Sequence, residues 1–316
     1  ALTRQRFPTL EVPPHSRWRH FEAGGVDRRA ELEARLEGLD AAEAARARID
    51  LAVVSVLLDA GAGPTWRYAD NDGRRYGRSE GLGVASLRAF LAGRFSASAA
   101  DPLRADASVL ARVDAALLSE VFQVGPDNPM VGLEGRAALL ARLGEALMTR
   151  TPRHALAATW PRRPGQLYDR LAAGFGFGEG GDQDADGDDA APRPPPAQVG
   201  AAELLLHVLQ LGDGIFAQGT PMLGRSVGDV WGHRFAGAAV AGGGTDSVTT
   251  GVVPFHKLSQ WLCYSLLEPL AWAGGAAACA LGLAASWVLD APSGACVVLA
   301  LSAYGLLSAA RGGITT

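Results

Sequence analysis

Residues 49–58 read Ile-Asp-Leu-Ala-Val-Val-Ser-Val-Leu-Leu, an apolar run whose only charge is Asp50. A segment of this kind has to be covered on nearly every side, so the rest of the chain must build a core around it. Periodicity alone leaves open whether it is a buried strand or a buried helix. Residues 28–48 just before it are rich in Ala, Glu, Arg and Leu, the strongest helix formers, and this continuity favours helix. Gly61-Ala62-Gly63-Pro64 then ends it.

The flanking chain repeats the helical signal. Residues 1–16 are polar, carry Pro8, Pro13 and Pro14, and predict an extended lead-in. Trp66-Arg67-Tyr68, Asn71-Asp72-Gly73 and Tyr76-Gly77 predict a loop or short hairpin. Helices are expected near 82–93, 106–122, 133–149 and 201–211, with starts at Asp106 and the Pro129 region. Pro254 suits a first helical position and opens a segment to Leu270. Residues 174–200 are rich in Gly, Asp and Pro and too polar to bury area, which predicts a disordered acidic and Pro-rich insert. Gly242-Gly243-Gly244 marks a second flexible insert at 236–251. Residues 271–310 hold one acid, Asp290, and no base, giving an atypical apolar Ala/Gly-rich tail over 271–316. The expectation is a mainly α, multi-helical single globular domain over 17–270.

Composition excludes several chemistries. Among 29 Lys+Arg only Lys257 is a lysine, and no glycine frame precedes it, so neither a P-loop nor a kinase-type lysine is present. The arginine excess accompanies 40 glycines and reads as codon bias, and a net charge of −4 argues against a nucleic-acid partner. No two histidines stand at metal-ligand spacing, G-x-S-x-G is absent, and no cofactor is called for. Cys263, Cys279 and Cys296 are odd in number and widely spaced, which suits a reducing, cytoplasmic compartment. The chain begins Ala1-Leu2-Thr3-Arg4, so organelle targeting stays open.

Eight segments recur in a telling order: Ile49 to Ala62; Trp66-x-Tyr68; Arg78-Ser79-Glu80-Gly81-Leu82; Phe122-Gln123; Asn128-Pro129-Met130-Val131-Gly132-Leu133-Glu134-Gly135-Arg136; Arg163-Pro164-Gly165; Gly228-Asp229-Val230-Trp231-x-His233; and Val253-Pro254-Phe255-His256-Lys257-Leu258-Ser259-Gln260-Trp261-Leu262. The series resembles the uracil-catabolism proteins of fungi and bacteria, a family long carried as a domain of unknown function. The resemblance implies a part in degrading uracil through ribosylated intermediates to urea, and does not by itself give a reaction. A fainter similarity to queuosine-salvage N-glycohydrolases lies in the W-x-Y and G-x-x-Y loop; no catalytic residue is carried over from it. The family pattern ends in a P-E-Y-R-x-G-G-like motif, where this chain reads Ala271-Trp272-Ala273-Gly274-Gly275. Translated intron or a wrong splice junction would give such a tail; a membrane hairpin is the other reading, and the weaker one.

The expectation is an enzyme that cleaves or processes a small ribosylated ureide or nucleotide, with N-ribosyl cleavage as the reaction to consider. Its oxocarbenium-like transition state asks for a carboxylate, and its leaving group for an acid. Asp229, Glu134, Glu80 and Glu268 are the carboxylate candidates, with His256 and His233 for acid work. Lys257, Arg78 and Arg136 are placed to hold an anion. Lys257, Trp261, Tyr264 and Glu268 share one helical stripe suited to a ribosyl or base ligand, and Trp66 and Tyr68 could stack on a base. The same residues also fit a bland account: an ion-paired face, helix caps, and aromatics packed over a core. Two alternatives stand beside the enzyme: a non-catalytic partner organising other uracil-pathway enzymes, and a protein attached to a membrane through the apolar tail.

Overall fold

The computed structural model describes residues 15–149, 162–172, 198–212, 215–216, 219–221, 229–233, 251–255, 257–273 and 276–278. The helices are α1 (Arg17–Phe21), α2 (Arg28–Leu36), α3 (Ala41–Leu57), α4 (Arg78–Leu91), α5 (Ala107–Leu110), α6 (Ala115–Val121), α7 (Leu133–Thr149), α8 (Leu167–Ala172), α9 (Ala201–Leu211) and α10 (Lys257–Trp272). Three two-stranded pairings accompany them: the hairpin β1 (Tyr68–Ala69) with β2 (Arg75–Tyr76), parallel β3 (Gln198–Gly200) with β6 (Ala276–Ala278), and antiparallel β4 (Val230–Gly232) with β5 (Val252–Pro254). The fold of the described residues is mainly α.

The apolar run forms the second half of α3, and every residue from Ile49 to Leu58 is buried. Helix α3 is the axis of the structure: α10, α4, α7, α8 and α1 all pack on it. Fully burying one such Leu, Ile or Val side chain contributes roughly 1.5–3 kcal/mol, so this helix dominates the apolar stabilisation. The expected continuous helix across 28–58 is instead two, because Gly38 turns the chain at φ 90° and Asp40 caps α3 by accepting from Glu43 N at 2.8 Å. The helix expected over 106–122 is likewise broken, with Asp114 accepting from Leu117 N at 2.8 Å to start α6. Helix α7 reaches the α5 region through Gly144, where any Cβ would run into the backbone of Ala107 and Ala111.

Other boundaries differ in instructive ways. Pro254 ends β5 rather than opening a helix; α10 starts at Lys257 and carries Pro269 inside it to Trp272. The last three residues of the 174–200 stretch form β3, which pairs with β6 in the Ala-rich tail. The rest of that stretch, most of 236–251, the tail beyond 278 and residues 1–14 lie outside the described residues. Among the described residues no helix is long and apolar enough to cross a membrane.

Candidate functional site

The sequence motifs separate into a scaffold and a face. The scaffold surrounds the β1–β2 loop. Trp66 is fully buried, its Nε1 donates to the Phe122 carbonyl at 2.9 Å, and Gly81 leaves it room on α4. Gln123 brackets Ala69 as a neighbouring strand would: Oε1 accepts from Ala69 N and Nε2 donates to Ala69 O, both at 2.9 Å. Asn128 treats Arg67 the same way, at 2.8 Å for each bond, and its Nδ2 also reaches Gln123 O. Tyr68 is buried beside this clamp. Arg136 takes the C-terminal end of α3 and the chain beyond it: its guanidinium donates to the carbonyls of Leu58, Ala60 and Val131 at 2.9, 2.8 and 2.5 Å. These groups are occupied by backbone, which is the bland account of Trp66 and Arg136.

Arg163-Pro164-Gly165 serves α3 from the other side. Buried Asp50 accepts from Ala105 N at 3.0 Å and Gly165 N at 2.6 Å, and lies 2.8 Å from Arg163 Nε. Burial pushes the Asp50 carboxyl up to about 6, while Arg163 and the two N–H bonds pull it back. A third fixed centre holds Asp70 between Arg28 at 2.8 Å and Arg88 at 2.6 Å, with Arg28 also reaching Asp72. These arginine bonds outweigh burial and hold Asp70 down at about 2.

The face lies where α1, the end of α3, the start of α4 and α10 meet. Arg17 is its centre and is wholly buried. Its Nε donates to Ser55 Oγ at 2.6 Å, and its Nη1 donates to Asp59 Oδ2 at 2.7 Å and Ser79 O at 3.1 Å. Its guanidinium carbon lies 5.4 Å from the centre of the Trp261 ring. His20 meets Trp261 edge-on at 5.7 Å, and exposed His15 lies nearly parallel to it at 6.2 Å. Glu268 accepts from Ser16 Oγ and from Arg19 Nη2, tying α10 to α1. Burial first, then the Arg17 charge, lowers His20 to about 4, so its imidazole is neutral at physiological pH.

Of the sequence candidates, Trp261 and Glu268 belong to this face. Arg78 and Glu80 flank Ser79, which is bonded to Arg17. Both are exposed and make no hydrogen bond or ion pair among the described residues. Arg78 holds a left-handed backbone, φ 53°, at the first residue of α4. Lys257 is exposed one turn before Trp261. Glu134 stands exposed in the first turn of α7. Asp229 lies on the β4–β5 hairpin, where its Oδ1 accepts from Trp231 Nε1 at 2.7 Å. His256 lies outside the described residues.

Sequence reasoning missed Arg17, His15, His20 and Asp59. The lead-in was set to end at residue 16, yet Ser16 and His15 are anchored to α10. Asp59, an acid just past the end of a buried apolar helix, was the legible signal: such a group needs a cation, and Arg17 supplies it.

Two curated relatives align with most of this chain. It is 35% identical to Protein urg3 of Schizosaccharomyces pombe over 260 residues, 82% of this chain and 54% of that protein. It is 34% identical to Uracil catabolism protein 4 of Lachancea kluyveri over 267 residues, 82% of this chain and 55% of that protein. The chain thus spans about half the length of these relatives. No solved structure matches it. The profile of a family described as "Protein of unknown function (DUF1688)" matches residues 1–283, and the chain belongs to that family.

Proposed function

We propose that this protein acts in uracil catabolism and that its reaction is hydrolytic N-ribosyl cleavage of a ribosylated ureide. The observation that carries the pathway is the extended similarity to a relative named Uracil catabolism protein 4. Support for the chemistry comes from the face around Arg17, which combines a neutral imidazole, aromatic rings and unpaired charged groups at its rim.

In this reading water attacks the anomeric carbon, the C–N bond breaks, and urea leaves after taking a proton. Glu80 is the first candidate for activating water or facing the developing cation, because it is unpaired and adjacent to the Arg17 contact. Asp229, Glu134 and His256 are the further acid–base candidates. Lys257 and Arg78 are free to hold an anionic substituent of the sugar. Trp261 and Glu268 line the face, whereas Trp66, Tyr68 and Arg136 belong to the scaffold. The test is incubation of a full-length protein with ribosylurea or its phosphate, following urea release. A folded protein that turns over neither compound removes the reaction.

A second reading is a non-catalytic partner of other enzymes of the pathway. Trp231 and Phe255 favour it, being 45% and 50% exposed on the β4–β5 hairpin. Under this reading, binding to pathway proteins falls on Trp231→Ser and survives Glu80→Gln.

A further inference from the structure

The polar groups around Arg17 are incompletely used. Its Nη2 is buried and donates to nothing among the described residues. Among the described residues Trp261 Nε1, buried, likewise donates to nothing, although other parts of the side chain reach the surface. His20 Nδ1 makes no hydrogen bond, the Ser16 carbonyl exerting only a weak pull on it. These nitrogens belong to three side chains in mutual contact. Gly83 floors the cluster: a Cβ there would stand 3.0 Å from His20 Cβ and 3.5 Å from Arg17 Cζ. His15 borders it on the solvent side. Buried donors are nearly always bonded in folded proteins, so two idle N–H groups in one cluster point to an acceptor that arrives from outside.

Charge decides which acceptor. Arg17 is already neutralised by Asp59 at 2.7 Å. Glu268 is tied by Ser16 and Arg19, so it leaves no net positive charge at the cluster. A phosphate or carboxylate buried at these nitrogens would bring charge that no buried cation is left to match, Lys257 and Arg78 being exposed at the rim, and buried unmatched charge is strongly disfavoured. A neutral carbonyl satisfies both donors without that penalty, and a planar amide suits the aromatic surround.

We propose that Arg17 Nη2, Trp261 Nε1 and His20 form a recognition site for the carbonyl of a neutral, planar amide such as a ureide or a pyrimidine-dione. The Arg17 and Trp261 N–H groups donate to the oxygen, and His20 meets an amide N–H or a second oxygen. The inference rests on the ureide reading of this face for its choice of ligand, but not on turnover.

Calorimetric titration of the full chain with ribosylurea, uracil and inorganic phosphate tests it. The wild-type protein is expected to bind at least one of the two amides and not phosphate. Trp261→Phe keeps the ring and removes the idle N–H, and should weaken that binding about tenfold, the order of one hydrogen bond. Trp272→Phe, on the same helix but outside the cluster, should leave it unchanged. Thermal melts of both variants check that folding is intact. Amide binding that ignores Trp261→Phe overturns the inference while leaving the ureide reaction open. Binding that persists without urea release removes the reaction and leaves this site standing. Phosphate binding that weakens on Trp261→Phe, or no binding of either amide, overturns the inference outright.

Discussion

Trp66 and Trp261 carry the same side chain to opposite ends. Trp66 is wholly buried and its N–H is bonded to the Phe122 carbonyl. Trp261 is partly exposed, ringed by Arg17, His15 and His20, and its N–H is bonded to nothing among the described residues. Trp18 sides with Trp66, donating to Ser265 O at 2.8 Å. A bonded indole fixes two chain segments relative to one another. An idle one stabilises nothing in the free protein and is retained at a cost of roughly 1–3 kcal/mol. The contrast extends to the arginines: Asp70 is filled by two of them, while Arg17 has one carboxylate and a nitrogen to spare.

The largest effect should fall on the filled centres. Asp70→Asn leaves Arg28 buried without its carboxylate and should cost about 3–5 kcal/mol in urea denaturation. A loss under 1 kcal/mol would mean the pair is not a structural anchor. Next come the two tryptophans. Trp66→Phe should lose about 1–3 kcal/mol by stranding the Phe122 carbonyl, whereas Trp261→Phe should be neutral or gain about 1 kcal/mol. Equal losses at both would mean that the two indole N–H groups play the same structural part.

Acid sensitivity gives a further separation. His20 titrates near 4 in the folded protein against 6.5 when free, so the folded state binds fewer protons between those values. Its contribution to stability is therefore full above about 6.5 and is lost as pH falls towards 4. Asp70, lowered from 3.8 to about 2, adds a loss confined to that more acid window. Asp50 opposes His20: its carboxyl is raised to about 6, so its term weakens as pH rises from about 4 to 6. The difference between wild type and His20→Gln isolates the histidine: it should be constant above pH 7 and turn against the wild type as pH falls towards 4. A difference that does not change with pH would assign His20 to packing alone. The smallest effect is expected at the strained start of α4, where Arg78→Gly should gain up to about 1 kcal/mol by relieving the positive φ. Unchanged urea release in that variant would place the Arg78 side chain outside the reaction.

Helices were legible where the signal is local. The apolar run of α3 and the hairpin turn at Asn71-Asp72-Gly73 each arise from neighbouring residues. The two broken helices were missed because Gly38 and Asp114 compete with strong helix formers around them, and cap geometry wins over propensity only once the ends are packed. The motif order pointed to the family, yet it gave the scaffold and the face equal weight. Gln123 and Asn128 mimic a strand against residues more than fifty positions away, a pairing that no spacing within either motif reveals.

What the sequence by itself determined is the helical class, the central place of residues 49–58, and membership of one family. Each follows from composition and order along the chain. Only the tertiary structure decided which polar groups are satisfied. The acceptor for Trp66 comes from a carbonyl 56 residues on, and the cation for Asp59 from a helix 42 residues back. Hydrogen bonding of a buried group depends on what the fold brings within about 3 Å of it. That is why Trp66 and Trp261, read alike in the sequence, became a structural strut and an unfilled donor.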